Sequence, residues 1–307
     1  PDALDRRRPA EHQEVGPGGV KRLLSASTRD RRAVGRKMRP NLFDEARYDP
    51  APSFEDLVDV PGPMPAVVRG KLAVIVADGI GIGEFSKSYS DSLAFADAIA
   101  AFRRRLGASI VKWTEARADQ LIGIAGGKRF PRVDVLVWGG DDMVFAVPAS
   151  HAFDFIEFLM EEVARPFDGA SGAALHHRIG CIVANHKVPI RQMRSLAYDA
   201  EARLSVVQKA RNVTGQSMVS IDVFESAALP HGSLTPYRSA LYGPGDHDAS
   251  LSFTRADFSR FTAFLRETIG DDDRGLAVSQ VHRALQAAEE RALSLACLLY
   301  TSPSPRD

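Results

Sequence analysis

Residues 133–148, VDVLVWGGDDMVFAVP, constrain this chain more than any other stretch: two apolar runs flank Gly139, Gly140, Asp141 and Asp142. A two-residue turn between antiparallel strands calls for positive φ, which glycine adopts without strain, so the stretch predicts a β-hairpin with strands at about 133–138 and 142–147. Its tip carries two adjacent carboxylates. Aspartate suits turns, so one explanation is purely structural. The other is that the acids hold something positively charged.

A second acid bears on that choice. KLAVIVADG, residues 71–79, is a short continuous apolar run closed by Asp78 and Gly79, the pattern of a buried strand. If this strand lies beside the hairpin, Asp78 joins Asp141 and Asp142 at one edge of the sheet, where three carboxylates repel unless cations lie between them. Magnesium takes oxygen ligands, keeps part of its water shell and shares substrate phosphates, so the expected cofactor is Mg or Mn, as two divalent ions. The next residues, DGIGIGEFSKS, set Gly79, Ile80, Gly81 and Gly83 before a helix start, which would offer backbone N–H groups to a triphosphate with Lys87 as countercharge. The glycine spacing does not fit a dinucleotide-binding fingerprint, and no Walker A sequence occurs.

Periodicity supplies the rest of the plan. Residues 92–106 read as an amphipathic helix with Leu93, Ala96, Ile99 and Phe102 apolar, and a second helix is expected within 109–122. Residues 151–164 are helical to Pro166, HHRIGCIVA reads as a strand, a long helix begins near Pro189, and SMVSIDVF is a last strand. The order β-α-α-β-β-α-β-α-β predicts an α+β, ferredoxin-like palm with helices packed on one face, followed by a small C-terminal helical addition. The expected divisions are an irregular, basic lead-in over 1–69, the palm over 70–228, a helical extension over 229–296 with helices near 254–269 and 275–295, and an adapter-derived artefact over 297–307, CLLYTSPSPRD. Pro1 at the start implies that the natural chain begins earlier. The lead-in carries Arg6, Arg7, Arg8, Arg29, Arg31, Arg32, Arg36 and Arg39, a solvated tail or an arm for RNA or phosphate.

Three blocks, VADGIGIGEF, VWGGDDMVFAVP and IGCIVANHKVPIRQMRSLAYDAEARLSVVQKARN, resemble in order and spacing the GGDD-bearing second palm domain of the large subunit of type III CRISPR effector complexes, a cousin of GGDEF diguanylate cyclases and class III nucleotide cyclases. The resemblance spans about residues 70–225. It implies a nucleotidyl transferase that makes cyclic oligoadenylate from ATP, with Asp78, Asp141 and Asp142 as catalytic metal ligands and Gly139 and Gly140 letting the nucleotide approach the backbone. It also implies a triphosphate contact for Lys209, with Arg211 and Asn212 beside it; unaided, a cation at a helix end simply suits the helix dipole. His186 and Lys187 match a family block at a strand-to-helix loop. His176 and His177 start a strand without catalytic duty, and His247 and Asp248 are expected to be incidental. Where relatives often carry a second acid, this chain has Ile80. The implied partners are ATP and either a second copy of the chain or another palm-containing subunit, with RNA or CRISPR effector subunits as further partners and no membrane.

Composition excludes several other classes. Basic and acidic residues both number 39, so the net charge gives no field for nucleic acid or membrane. Two cysteines, Cys181 and Cys297, are too few for a disulfide framework or a cysteine zinc site and fit a reducing cytoplasm. Two alternatives to the synthetase stay open: a catalytically inactive nucleotide-binding palm serving as a scaffold subunit of an RNA-guided complex, and a phosphohydrolase with Asp78 as nucleophile.

Overall fold

The computed structural model describes residues 9–15, 21–30, 34, 42–43, 47–64, 68–167, 174–225, 229–242 and 245–268. The expected helix at 275–295, the tail at 297–307 and most of the arginines of the lead-in lie outside these residues.

The body is a six-stranded mixed sheet in the order β10-β9-β8-β3-β7-β6. Its centre is β3 (Lys71–Gly79), paired antiparallel with β7 (Asp142–Pro148) on one side and β8 (His177–Asn185) on the other. Next to β7 lies β6 (Asp134–Gly139), and next to β8 lies β9 (Met218–Val223), in parallel. The last strand, β10 (Ser252–Thr254), closes the far edge antiparallel to β9.

Helices cover both faces rather than the single face expected from element order. The reason lies in β3 itself. Ala73, Ile75 and Ala77 pack against α4 (Ser92–Glu115) and α6 (Ala152–Val163), while Leu72, Val74 and Val76 pack against α7 (Ile190–Ala210) and the short α2 (Phe54–Val58). A strand apolar at every position, not at alternate ones, needs cover on two sides. Gly180 fixes how close that cover comes: a Cβ there would stand 2.0 Å from the Ala197 carbonyl oxygen, so α7 lies almost directly on β8.

Further expectations change. The segment 92–115 is one helix, not two; it runs through Gly107 and buries Ala98, Phe102, Leu106, Ile110 and Trp113. Leu93 and Ala96, which the shorter window had put on the apolar face, are exposed, and Ile99 is half-buried. Its N-cap is Asp91, which accepts hydrogen bonds from the N–H groups of Leu93 and Ala94, both at 2.9 Å. After the short α5 (Ala118–Leu121) comes a hairpin the sequence reading passed over, β4 (Ile122–Ala125) with β5 (Lys128–Pro131), turned by Gly126 and Gly127, both at positive φ.

The lead-in is not wholly irregular. It holds a small hairpin, β1 (His12–Val15) with β2 (Lys21–Leu24), a helical turn at 26–30 (α1), and α2, whose N-cap Ser53 accepts from the Asp56 N–H. Within it, Arg29 is held by Asp30 at 2.9 Å. The C-terminal addition is likewise more than helical. Between α8 (Leu234–Tyr242), α9 (His247–Ser250) and α10 (Arg255–Thr268) it contributes β10, and Phe258 of α10 joins the core below α6.

Candidate functional site

The strand register builds the site. Asp78 is the eighth residue of β3 and stands opposite Arg178 of β8. The hairpin β6–β7 closes at Gly139↔Asp142, leaving Gly140, at φ +67°, and Asp141 as the two-residue turn. Because β3 and β7 are neighbours, the turn sits against the end of β3. A Cβ on Gly79 would lie 2.7 Å from Asp141 Oδ2 and 2.8 Å from its Cβ, so the carboxylate of Asp141 rests on the bare Gly79 backbone.

Residues of α7 complete the edge. Helix and strand run in opposite directions, and the close approach at Gly180 brings Tyr198 and Glu201, one turn apart, over the carboxylates. The Tyr198 hydroxyl lies 3.3 and 3.4 Å from the two oxygens of Asp142, to which it donates. The Arg178 guanidinium donates to Asp78 Oδ2 at 3.0 Å and has its Nε 2.8 Å from Glu201 Oε1.

The electrostatics follow from this crowding. Burial, followed by the charges of Asp78 and Asp142, pushes the Asp141 carboxyl above the usual carboxylate range, against hydrogen bonds from the backbone that pull it down. Burial, with Asp78 adding to it, likewise raises Asp142, while the Tyr198 hydroxyl and the Arg194 charge oppose the shift. Glu201 is raised chiefly by burial, although Arg178 works the other way. Beneath the turn, the fully buried His177 donates from Nδ1 to the Leu175 carbonyl at 2.8 Å and stacks on Phe102 at 5.9 Å. Burial pushes its imidazole down to about 4.

Asp78 is therefore close enough to Asp141 and Asp142 for its charge to raise the proton affinity of both. Their chemistry suits a hard divalent cation: partly buried oxygen donors, three carboxylates against the guanidinium that pairs with Asp78. Their arrangement is less complete, for among the described residues no three His, Cys, Asp or Glu side chains converge to hold a metal ion. Arg178 engages Asp78 and Tyr198 engages Asp142 instead.

The glycines divide by what they need. Gly140 requires its residue type through positive φ, and so does Gly81, at φ +70°, which caps the short α3 (Ile82–Ser86). Gly139 and Gly83 require it through neither dihedral nor packing: a Cβ on Gly139 would meet nothing nearer than the Asp142 carbonyl at 4.0 Å, and one on Gly83 nothing within 4 Å. Space is left open at both. The Ile80 N–H is not available to a phosphate, because it donates to the His176 carbonyl at 2.7 Å.

Other expected contributors fall elsewhere. Lys87, expected as a phosphate countercharge, is exposed and paired with Glu84 at 2.6 Å. His186 and Lys187 follow the strand end that pairs with Lys71, about 24 Å along the strand from Asp78, and His186 is bonded to the Gly70 carbonyl at 2.8 Å. Lys209 is exposed on the last turn of α7, at the site's end of the sheet and about 12 Å past Glu201 along the helix. Arg211 donates to the carbonyls of Ser252 at 2.9 Å and Ala249 at 2.6 Å, and Asn212 ends α7 at φ +52°. Asp248, expected to be incidental, accepts from Arg238 at 2.6 Å and Arg203 at 3.0 Å. Sequence reasoning missed Arg178, Tyr198 and Glu201. Only the helical spacing of Tyr198 and Glu201 hinted that they share a face, and Arg178 enters through a strand register that local sequence does not encode.

Comparison with known proteins agrees with the resemblance read in the motifs. Residues 71–214 match the family model described as Cas10/Cmr2, second palm domain. No curated protein matches. Among solved structures, the chain is similar to a Csm1–Csm4 cassette in complex with one ATP, at 17% identity and a TM-score of 0.50 over 84% of this chain and 34% of that one. A microbial GGDEF domain studied with bis-(3′,5′)-cyclic di-GMP aligns at 17% identity over 59% of this chain and all of its own length, with a TM-score of 0.34. Csm1 of T. onnurineus aligns at 17% identity over 78% of this chain and 30% of its own, with a TM-score of 0.44. This chain thus spans about a third of the Csm1 chains it matches. At such identities the structural likeness to the Csm1–Csm4 cassette speaks for the fold, an α+β palm, and over residues 71–214 this chain is similar to the second palm domain of the Cas10/Cmr2 family.

Proposed function

We propose that this palm joins nucleoside triphosphates, with ATP as substrate, into a cyclic or linear oligonucleotide in a CRISPR-type antiviral signalling system. The observation that carries the reading is the nearness of Asp78, at the end of β3, to Asp141 and Asp142 at a hairpin tip whose Gly139 leaves open space without a conformational need. The 3′-hydroxyl oxygen of one nucleotide would bond to the α-phosphorus of another while the bond from that phosphorus to the bridging oxygen breaks, releasing pyrophosphate and a proton. Mg or Mn, held by Asp78, Asp141 and Asp142, would supply the positive charge such a reaction needs. The chain's own part is positioning: Gly79 seats Asp141, Tyr198 orients Asp142, and the bare backbone at Gly139 and Gly140 admits the nucleotide. Exposed Lys209 stands at the same end of the sheet for a triphosphate. The ATP named for the Csm1–Csm4 structure supports the choice of base. One tip offers one set of carboxylates, so the second nucleotide would come from a facing palm, either a second copy or another effector subunit.

A specific observation favours the scaffold alternative. Arg178 already neutralises Asp78, and the three carboxylates do not converge. Incubation of the full chain with labelled ATP and Mn, followed by resolution of products by mass spectrometry, decides between the two. The synthetase reading expects pyrophosphate and an oligoadenylate that vanish in Asp141→Ala/Asp142→Ala; no product at any protein concentration leaves the scaffold.

A further inference from the structure

Arg178 has a placement at this edge that works against a cation site. It stands directly across the antiparallel ladder from Asp78, so its backbone cannot withdraw without breaking the register of β3 with β8. Its side chain can move, being 22% exposed on the rim of the sheet. Its guanidinium touches two carboxylates at once: Asp78, with a formed hydrogen bond at 3.0 Å, and Glu201, whose Oε1 is 2.8 Å from Nε without hydrogen-bond alignment. Of the two acids, Glu201 has the more sheltered side chain, 9% exposed against 36% for Asp78. Glu201 thus has a close but poorly aligned cation, and Asp78 has a well-aligned one on its open side.

We propose that Arg178 is a built-in competitor for Asp78, a resident cation that a divalent ion must displace, with Glu201 as the seat to which the guanidinium then turns. This rests on the proposed cation site and deepens it. The guanidinium supplies the charge compensation that three nearby carboxylates require when no ion is bound, and its bond to Asp78 accounts for their failure to converge. The swing needs only side-chain torsions, because Glu201 already lies within contact of the Nε. Arg178 is a positioning residue: it acts on Asp78, not on the reacting atoms.

The test is Mn2+ binding by the full chain without nucleotide, followed through the EPR signal of unbound Mn2+, so that no turnover is required. Arg178→Gln is expected to tighten Mn2+ binding roughly fivefold, the equivalent of removing a partly exposed ion pair, and Arg178→Lys to stay near the parent. Glu201→Gln removes the second seat and is expected to weaken binding severalfold. This second variant keeps the inference exposed if Arg178→Gln does not fold. Asp78→Asn should abolish the gain in combination with Arg178→Gln. Should Asp78→Asn and Asp142→Asn reduce binding while neither Arg178→Gln nor Glu201→Gln changes it, the competitor is overturned and the cation site survives. Should none of the aspartate variants matter, the cation site itself fails.

Discussion

The carboxylate of Asp141 lies against the backbone of Gly79, where a single added methyl would stand 2.7 Å from its Oδ2. The glycine that ends the first strand thereby sets where the hairpin acid points. Gly79→Ala is expected to shift the turn itself, because the Asp141 Cβ at 2.8 Å cannot move by side-chain rotation, and so to reduce nucleotide product formation roughly tenfold or more. Gly139→Ala is the informative companion. The turn tolerates it, with nothing inside 4.0 Å, so a comparable loss there would report a nucleotide pressed to that backbone. Lowered product is the expected result for both, with unchanged melting for Gly139→Ala and a lowered melting point for Gly79→Ala, read by mass spectrometry and circular dichroism.

Gly180→Ala should behave in the opposite way. Its Cβ would enter the backbone of α7, 2.0 Å from the Ala197 carbonyl and 2.8 Å from the Glu201 N–H, and neither can rotate aside. Lifting the helix would strip cover from Val74, Val76 and Ile182, at a cost of about 1–3 kcal/mol or more. A fall in the urea midpoint, with Tyr198 and Glu201 carried away from the site, is the outcome that a denaturation curve checks.

His177 gives the fold a dependence on pH. Its imidazole titrates near 6.5 in an unfolded chain and is pushed down to about 4 by burial in the native state. As pH falls below 6.5 the unfolded chain takes up the proton first, so stability is full above about pH 7 and drains between 6.5 and 4, by about 3 kcal/mol in all. His151 and His176, both lowered by burial, act in the same direction. Urea midpoints measured from pH 8 to pH 4.5 should decline over this window, and less steeply in His177→Phe, whose ring can keep the stack on Phe102.

Arg238 ties the C-terminal segment to the sheet. Its fully buried guanidinium donates to Asp222 at 2.6 and 3.2 Å, to Ser220 at 2.9 Å and to Asp248 at 2.6 Å. Arg238→Ala leaves Asp222 charged and enclosed, a loss of about 3–5 kcal/mol. Arg238→Met with Asp222→Asn removes both charges and should recover a large part of that loss. Equal thermal midpoints for the single and double variants would show that the pairing does not matter.

Much of this arrangement is legible in the amino-acid order, because its signals are local. The hairpin 133–148 announces itself through its glycines and the apolar runs that flank them, and the strand ending at Asp78 through its unbroken apolar run. That same run implies cover on both faces, an inference the order of elements obscured. The hairpin at Gly126 and Gly127 was readable too, from a glycine pair between two short strands that follow the expected helix directly. Arg178 was not readable. Its meeting with Asp78 spans 100 residues and depends on a register set by the whole sheet. Asp248 was likewise opaque, since its arginine partners arrive from α7 and α8.

The central place of β3 has a bearing on how the chain is made. It is synthesised before either strand that flanks it, so its two hydrogen-bonding borders stay bare while the next helices emerge, and β8 reaches it only after 100 further residues. Closing such distant pairings is slow, and an apolar strand left waiting is an invitation to pair with another nascent chain. On a ribosome, the three aspartates can therefore meet as soon as the β6–β7 hairpin has emerged, whereas the arginine that answers Asp78 reaches that edge only when β8 slides in beside a strand finished long before.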